Sequence, residues 1–267
     1  DVCSSDLGQF GSNTSFTMTR TNYVAGMDAL MKLKEIAAIE LGGTADDYDV
    51  ADESVFLKSD PSQKITYAAA AQRAIELGGR FAGHEAPEDI NDMTKASVAA
   101  LAGTGLIGVA KDNIERVGTV PALAAGFMQI ELDLETGRFD ILEYLGVADC
   151  GTVLHPMGLA TQIKGAAIMG IGMAATERYI IDPQNGLPAN TGLYQAKPPT
   201  YLDMPATMDW AAVDLPDPQN PVGTKGIGEP IMGCATAALL CAISDAMGGH
   251  VFNRTPVVPD MIVNAAS

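Results

Sequence analysis

The sequence predicts an α+β fold in which helices pack on β-sheets. Apolar residues recur at helical spacing in residues 22–40 and again in residues 66–77. Residues 127–134 and 139–147 have strand character, and the first of them alternates clearly between apolar and polar side chains. The Glu-Thr-Gly-Arg turn between them places glycine where a hairpin needs a positive φ. Because apolar residues follow helical spacing in some segments and strand alternation in others, and the chain has no internal repeat, we expect a fold that mixes helices and strands.

The first part of the chain is expected to begin with a loop. Residues 8–20 are rich in Gly, Ser, Thr and Asn, which favours a polar loop before the first helix. Gly42-Gly43 is expected to end that helix, and residues 46–58 are predicted to form short strands between acidic turns. Residues 79–123 are rich in loop-forming residues and hold no motif that we can place.

The second part is expected to contain two further helices around an irregular stretch. Residues 158–177 are rich in small residues, and their glycines permit another backbone to approach closely. Residues 183–208 are predicted to be a long irregular segment. An apolar helix is predicted from residue 230 to residue 247, where Gly248-Gly249 stops it.

Composition limits the classes of function that the chain can have. The chain has 267 residues, a hydrophobic content of 47% and a formal net charge of −17. The apolar content excludes disorder throughout, and the length fits one large domain or two lobes. A chain this acidic repels phosphate backbones, so nucleic acid is not an expected partner. The acidic residues are scattered, which is typical of a well-solvated surface.

The spacing of cysteine and histidine disfavours a metal that is bound directly by side chains. The four cysteines form no Cys-x-x-Cys pair, and the three histidines are far apart in the sequence. No segment is expected to cross a bilayer, because the most apolar one, residues 231–247, is short and carries Asp245. It is predicted to be a buried helix instead.

The most informative stretch is Pro-Val-Gly-Thr-Lys-Gly-Ile-Gly-Glu-Pro at residues 221–230. Pro230 suits the first position of a helix and favours an extended Glu229 before it, so the Glu229 carboxylate is expected at the mouth of the helix. Gly226 and Gly228 remove side chains around it and leave room for a large ligand. Because an apolar helix follows, the carboxylate is expected to be partly desolvated. On these residues alone Glu229 is either a general base or a helix-capping glutamate in a Gly-rich turn.

Four short sequence motifs resemble those of a known family. Gly226 to Glu229 resembles the Gly-x-Gly-Glu motif of the xanthine dehydrogenase and aldehyde oxidase family. Residues 148–156, Ala-Asp-Cys-Gly-Thr-Val-Leu-His-Pro, are similar to its Asp-x-Gly-x-x-x-(Asn/His)-Pro strand end. Residues 162–166 are similar to its Gln-x-x-Gly-(Ala/Gly) helix, and residues 11–15 to its Gly-Ser-x-(Ser/Thr) loop. The four motifs occur in the same order as in that family. The chain is therefore identified as similar to the C-terminal part of the family's molybdopterin-binding subunit.

The resemblance implies a molybdenum-dependent hydroxylase that adds an oxygen atom from water to an aldehyde, a purine or an N-heterocycle. It implies that Glu229 is the catalytic base. It also implies molybdopterin contacts, in the plain or the cytosine dinucleotide form of the cofactor, from Gly11, Ser12, Asn13, Thr14, Gln162 and Gly228. No protein ligand to the metal is expected. His155, which precedes Pro156, is expected to be a turn residue rather than a catalyst.

The resemblance also implies that this chain is a fragment, inactive alone. Its expected partners are the missing N-terminal half of the same subunit, an iron–sulfur subunit, an FAD subunit and a small-molecule substrate. Residues 8–118 are expected to form a first lobe, and residues 119–267 a second lobe with the hairpin, the Gln162 helix and the motif glutamate. The cytoplasm is the expected compartment, with the periplasm left open because the N-terminus is missing.

The first seven residues are expected not to be part of the natural protein. Asp-Val-Cys-Ser-Ser-Asp-Leu can be back-translated into the end of a common sequencing-library adapter, so residues 1–7 are predicted to be an artefact of a metagenomic read.

Two alternative functions remain. One is a cofactor-free assembly or scaffold subunit of the same fold. The other is a cofactor-free hydrolase with Glu229 as base, which is disfavoured because no Ser-His-Asp or Cys-His pattern is found.

Overall fold

The computed structural model describes residues 10–267, so the predicted artefact at residues 1–7 lies outside the described residues. The helices are α1 Thr14–Leu41, α2 Tyr67–Leu77, α3 Asp92–Leu101, α4 Pro156–Ala175, α5 Leu193–Ala196, α6 Glu229–Ala246 and α7 Pro259–Ala266. The strands are β1 Tyr48–Ala51, β2 Ser54–Leu57, β3 Asp60–Thr66, β4 Ala124–Asp133, β5 Arg138–Ala148 and β6 Thr207–Ala212. Helices and sheets are thus mixed, and the predicted α+β class is confirmed.

The described chain forms two compact units. One unit is Thr17–Val117, and the other joins residues 10–16 to Gly118–Ser267. The division after Val117 lies one residue before the predicted end of the first lobe at residue 118. Residues 10–16, in contrast, belong with the C-terminal unit, because their partners lie there.

The Thr17–Val117 unit is built on a small antiparallel sheet in the order β1-β2-β3. Helix α1 packs on it through Ala37, which lies in one buried cluster with Tyr48 and Val55. Ile36, on the same helix, packs against two alanines of α2. Helix α2 begins where the sequence pattern places it, and the Thr66 hydroxyl accepts a hydrogen bond from the N–H group three residues later at 3.2 Å.

Residues 107–116 form a strap without regular structure, and two buried cations of α1 hold it. The Arg20 side chain is only 1% exposed, and its guanidinium donates to the Asp112 carboxylate at 2.8 and 3.0 Å and to the carbonyl of Ile114 at 2.6 Å. Lys32, at 3% exposure, donates to the carbonyl of Ile107 at 2.8 Å and pairs with Asp28 at 2.6 Å. Polar contacts, rather than a hydrophobic period, therefore order this strap.

Several boundaries differ from the sequence-based expectation. Helix α1 begins at Thr14, so most of the polar loop predicted for residues 8–20 is helical. Helix α3 lies in the segment that was predicted to be loop-rich, and it was missed because only Val98 is buried on it, which leaves little apolar period. Strand β6 was also missed. It begins at the end of the segment that was predicted to be irregular, residues 183–208, and continues to Ala212.

The C-terminal unit is built on the sheet β4-β5-β6. Strands β4 and β5 form the predicted hairpin, and its turn residue Gly137 has the expected positive φ of 68°. Strand β6 pairs with β5 in parallel, along a register that runs from Glu143 opposite Thr207 to Ala148 opposite Ala212.

Helices α4 and α6 cover this sheet and bury its core. Tyr144 of β5, Ile163 of α4 and Ile231 of α6 lie together in one fully buried cluster. By length and composition, α6 is the one described helix that is apolar enough to cross a membrane, contrary to the expectation from the sequence. Every fourth residue of α6 from Ile231 to Ile243 is nevertheless buried against the rest of the unit. Helix α6 is thus packed along one face, and 22% of it is buried.

Removing the Asp112 carboxylate should destabilise the protein strongly. Asp112→Ala leaves the Arg20 charge buried without its carboxylate, and we expect the free energy of unfolding to fall by about 3 kcal/mol, as measured by urea denaturation. The matched control is Asp89→Ala, whose pair with Lys111 at 3.7 Å is exposed on both sides and should contribute less than about 1 kcal/mol. An equal loss in the two variants would contradict the role of the buried pair.

The same pair predicts how stability depends on pH. Burial of Asp112 raises its pKa, but the hydrogen bond from Arg20 and its positive charge outweigh burial, and the net pKa is lowered. A lowered pKa in the folded state stabilises the protein above the unfolded value of about 4, and this contribution is lost as pH falls through the folded value. We therefore expect the difference in unfolding free energy between wild type and Asp112→Asn to shrink below about pH 4.

Candidate active site

Three helices begin at one cleft of the C-terminal unit. Helices α1, α4 and α6 start at Thr14, Pro156 and Glu229, and residues from the first turn of each line a cleft of about 480 Å³. The first N–H groups of a helix have no partner within the helix, and they give its N-terminus a partial positive charge. The cleft is therefore suited to an anionic or strongly hydrogen-bonding ligand.

Two of the sequence motifs meet along the backbone at the wall of this cleft. Gly151 forms a bridge with Thr224, supported by a hydrogen bond from the N–H of Thr152 to the carbonyl of Gly223 at 2.8 Å and by one from Lys225 to Cys150 at 2.7 Å. Gly151 has a φ of 65°, and a Cβ atom at this position would lie 2.1 Å from the Gly223 carbonyl oxygen. Only glycine fits this crossing, which joins residues 148–156 to residues 221–230.

A salt bridge joins the same two motifs. The Lys225 ammonium lies 2.7 Å from the Asp149 carboxylate, and the side chains are only 12% and 20% exposed. Lys225 also donates to the carbonyl of Pro121 at 3.4 Å. The sequence-based prediction did not include this pair, although both residues stand inside the motifs. Since each charge compensates the other, the pair fixes the two segments without adding net charge to the cleft.

Asn220 connects the first turn of α1 to the loop that leads into α6. It is 6% exposed, and its amide donates to the carbonyl of Phe16 at 3.0 Å. Its side-chain oxygen accepts the N–H of Val222 at 3.0 Å. This residue was also missed from the sequence, because a buried asparagine in a loop cannot be told from an exposed one by composition alone.

Ser12, Gln162 and Glu229 lie around Gly228. The Ser12 hydroxyl donates to the Glu229 carboxylate and accepts the Glu229 backbone N–H at 2.9 Å. A Cβ atom at Gly228 would lie 2.9 Å from the Ser12 hydroxyl and 3.3 Å from the Gln162 amide nitrogen. The structure thus brings together three of the sequence-predicted residues that are separated by about 150 and 67 positions in the chain.

The other sequence-predicted residues occupy different places around this contact. Thr14 lines the cleft as the first residue of α1. Gly11, with a φ of 66°, and Asn13 flank Ser12 in the chain, and neither belongs to the lining of the cleft. His155 caps α4 through a hydrogen bond from the N–H of Gly158 to its Nδ1 atom at 2.8 Å, which makes it the turn residue that was expected.

Two expectations about Glu229 are wrong in detail. Helix α6 begins at Glu229 itself, one residue earlier than predicted, with Gly228 in the N-cap position. The Glu229 side chain is exposed rather than partly desolvated, because the cleft is open to solvent in the described part of the chain. The carboxylate still lies at the mouth of the helix, where the sequence placed it.

Comparison with known proteins gives the family. A family model described as the molybdopterin cofactor-binding domain matches residues 1–205. The gamma subunit of the 6-hydroxypseudooxynicotine dehydrogenase complex of Paenarthrobacter nicotinovorans is 37% identical over 136 residues, which are 51% of this chain and 17% of that protein. The xanthine dehydrogenase molybdenum-binding subunit of Escherichia coli O157:H7 is 33% identical over 150 residues, or 56% of this chain and 20% of that protein.

A solved structure agrees with these relatives. The crystal structure of quinoline 2-oxidoreductase from Pseudomonas putida 86 superposes with a TM-score of 0.65 at 26% identity, and the match covers 88% of this chain and 28% of that one. The chain spans less than a third of the length of the relatives it matches. With more than half of its residues matched by the family model, the chain belongs to the molybdopterin cofactor-binding domain of the xanthine dehydrogenase and aldehyde oxidoreductase family.

Proposed function

We propose that this chain provides the catalytic base and part of the cofactor site of a molybdenum hydroxylase. In this proposal Glu229 is the base, and Gly11, Ser12, Asn13, Thr14, Gln162 and Gly228 contact the molybdopterin. The observation that carries the proposal is the meeting of Ser12, Gln162 and Glu229 around Gly228 at one cleft. Nothing local in the sequence requires these three segments to meet, and a shared ligand explains why they do.

The residues of the cleft fit an organic cofactor that brings its own metal. Among the described residues no group of three or more His, Cys, Asp or Glu side chains could hold a metal ion. The cleft instead offers the Thr14 hydroxyl, the Gln162 amide and the N-termini of three helices. Hydroxyl, amide and backbone N–H groups are suitable donors for the phosphate, dithiolene and pterin of such a cofactor.

The proposed chemistry is an oxidation in which water supplies the oxygen atom. A substrate C–H group and water become C–OH, with release of two protons and two electrons, and the cofactor, when bound, accepts the two electrons. Glu229 takes a proton from the attacking water-derived oxygen. Ser12 holds the Oε2 atom of the carboxylate, so we assign the proton to Oε1. Gln162 and the Ser12–Thr14 segment orient the cofactor beside this carboxylate.

The substrate class and the partners follow from the relatives and are proposals for this chain. The relatives act, by their names, on 6-hydroxypseudooxynicotine, xanthine and quinoline. We therefore infer an electron-poor aldehyde, purine or N-heterocycle as substrate. The chain contains no ferredoxin-like cysteine cluster, so its electrons would leave through iron–sulfur and FAD groups on partner chains, with the rest of the subunit completing the cofactor site.

Replacement of Glu229 should stop turnover without unloading the cofactor. Glu229→Gln keeps size and hydrogen bonding but cannot take the proton, so we expect turnover to fall by about 10²–10⁴-fold while molybdenum content stays near that of wild type. Turnover is measured in the holoenzyme as dye reduction by benzaldehyde, hypoxanthine or quinoline, and molybdenum by elemental analysis. The matched control is Glu135→Gln, on the exposed hairpin turn, which should leave both values unchanged.

The outcomes of this experiment separate the alternatives. Near-normal turnover of molybdenum-loaded Glu229→Gln would remove Glu229 from the mechanism and return it to the role of a helix-terminal carboxylate. A wild-type enzyme that contains neither molybdenum nor pterin would favour the cofactor-free scaffold subunit of the same fold.

Replacement of Gly228 should impair cofactor loading. Its φ of 154° is one that L residues rarely adopt, and a Cβ atom would push against the Ser12 hydroxyl and the Gln162 amide at 2.9 and 3.3 Å. We expect Gly228→Ala to lower molybdenum and pterin content together, as measured on the purified enzyme. Gly233→Ala is the matched control on the same helix, because an added Cβ there meets nothing within 4 Å and should stabilise α6 by about 0.5–1 kcal/mol. Full loading of Gly228→Ala would contradict the proposed cofactor contacts.

A further inference from the structure

We propose that Ser12 is a positioning residue that holds Glu229 in place for proton transfer; this inference rests on the proposed function of Glu229. The Ser12 hydroxyl makes two hydrogen bonds to this one residue. It donates to the Oε2 atom of the carboxylate and accepts the Glu229 backbone N–H at 2.9 Å. The hydroxyl therefore fixes both ends of the glutamate, its backbone and its carboxylate.

Ser12 replaces a helix cap that the local sequence does not provide. Helix α6 has Gly228 as its N-cap residue, and no side chain at that position caps the helix. The first N–H groups of a helix need partners from elsewhere, and Ser12 supplies one from 217 positions away in the chain. Because the cap comes from Ser12, the Glu229 carboxylate is not used for capping and stays available at the cleft.

The backbone around Ser12 is shaped to make this contact. Ser12 has a φ of 53°, a left-handed conformation that is uncommon for any residue with a side chain. The Ser12 carbonyl oxygen occupies the place where a Cβ of Gly226 would lie, at a separation of only 1.5 Å. A conformation of this kind persists only where surrounding structure enforces it, and such positions cluster at functional sites. The Gly226-x-Gly228 spacing thus admits the serine.

The consequence for catalysis concerns geometry. A general base must reach the proton that it removes, and a displacement of about 1 Å at a catalytic group can cost about 10²-fold in rate. Without Ser12, the exposed Glu229 side chain regains its rotamers, and the first turn of α6 loses a partner for its N–H. The loss of Ser12 should therefore act on the chemical step rather than on substrate binding.

The first test measures kinetics in the molybdenum-loaded holoenzyme. Ser12→Ala and Ser12→Gly both remove the hydroxyl, and glycine also accommodates the φ of 53° without strain, which guards against a simple folding defect. We expect kcat per bound molybdenum to fall about 10- to 100-fold in both, with KM changed less than about twofold, for whichever of benzaldehyde, hypoxanthine or quinoline the wild type oxidises. Ser62→Ala is the matched control, since Ser62 also donates to a carboxylate, at 2.6 Å on the exposed surface.

A second test does not depend on activity. In protein produced without molybdate, the amide protons of residues 226–232 are followed by hydrogen–deuterium exchange. We expect them to exchange faster in Ser12→Ala than in wild type, because the Glu229 N–H loses its acceptor. Ser62→Ala should leave this segment unchanged. Equal exchange in Ser12→Ala and wild type would overturn the inference.

A double variant separates this inference from the proposed function. If Ser12 acts through the Glu229 carboxylate, adding Ser12→Ala to Glu229→Gln should lower the remaining single-turnover rate by no more than about twofold. A full 10- to 100-fold loss in that background would assign Ser12 a role independent of Glu229 and overturn the inference. Unchanged kcat per molybdenum in Ser12→Ala, with a defective Glu229→Gln, would also overturn it while the proposed function stands. Near-normal Glu229→Gln would overturn both.

Discussion

The cleft depends on a backbone contact that only glycine permits. The carbonyl of Ser12 lies so close to the α carbon of Gly226 that a Cβ atom there would be 1.5 Å away. This contact places the start of α1 beside the start of α6, and the crossing of Gly151 with the Gly223 carbonyl places the segment before α4 beside the same loop. Each helix could form without these contacts. The three N-termini could not share one cleft without them.

The electrostatics of the cleft follow from this arrangement. The chain has a net charge of −17, and the cleft is lined by the Glu229 carboxylate together with the N-termini of three helices, each worth about half a positive charge. Lys225 adds no net charge, because Asp149 neutralises it at 2.7 Å. The attraction for an anionic group therefore comes from backbone dipoles, which have fixed positions, rather than from flexible cations. An acidic protein can in this way bind a phosphate-bearing cofactor.

The sequence predicted those parts of the fold that have a hydrophobic period. The β4–β5 hairpin and α2 carry a clear hydrophobic pattern, and they lie within a few residues of their predicted positions. Helix α4 was predicted from its small residues instead. One part that was missed depends on polar contacts across long distances. The strap at residues 107–116 is held by Arg20 and Lys32, and its sequence alone contains no sign of those partners. The first turn of α1, which starts at Thr14, is likewise contacted from a distance, since Asn220 donates to the carbonyl of Phe16 from 204 positions away.

The candidate site shows the same division between local pattern and distant contact. Glu229, Gln162 and Ser12 were selected because the short motifs that contain them resemble those of a known family; the glycines and the proline around Glu229 alone left a base and a helix cap both open. Lys225, Asp149 and Asn220 were not selected, because the contacts that they make form only when distant segments of the chain come together in the fold.

The contact between Ser12 and Glu229 bears on the choice between a capping glutamate and a base. A glutamate that caps its own helix must bend its carboxylate back to a backbone N–H group. In this structure the Glu229 N–H is satisfied by the Ser12 hydroxyl instead, and the carboxylate accepts the hydrogen of that same hydroxyl. The helix terminus is stabilised by a residue of another segment, so its own acidic residue is not needed as a cap. The carboxylate still interacts favourably with the N-terminus of α6, but it is held by Ser12 at the edge of the cleft instead of bonding back to its own backbone, and this supports the base that we propose over the capping glutamate.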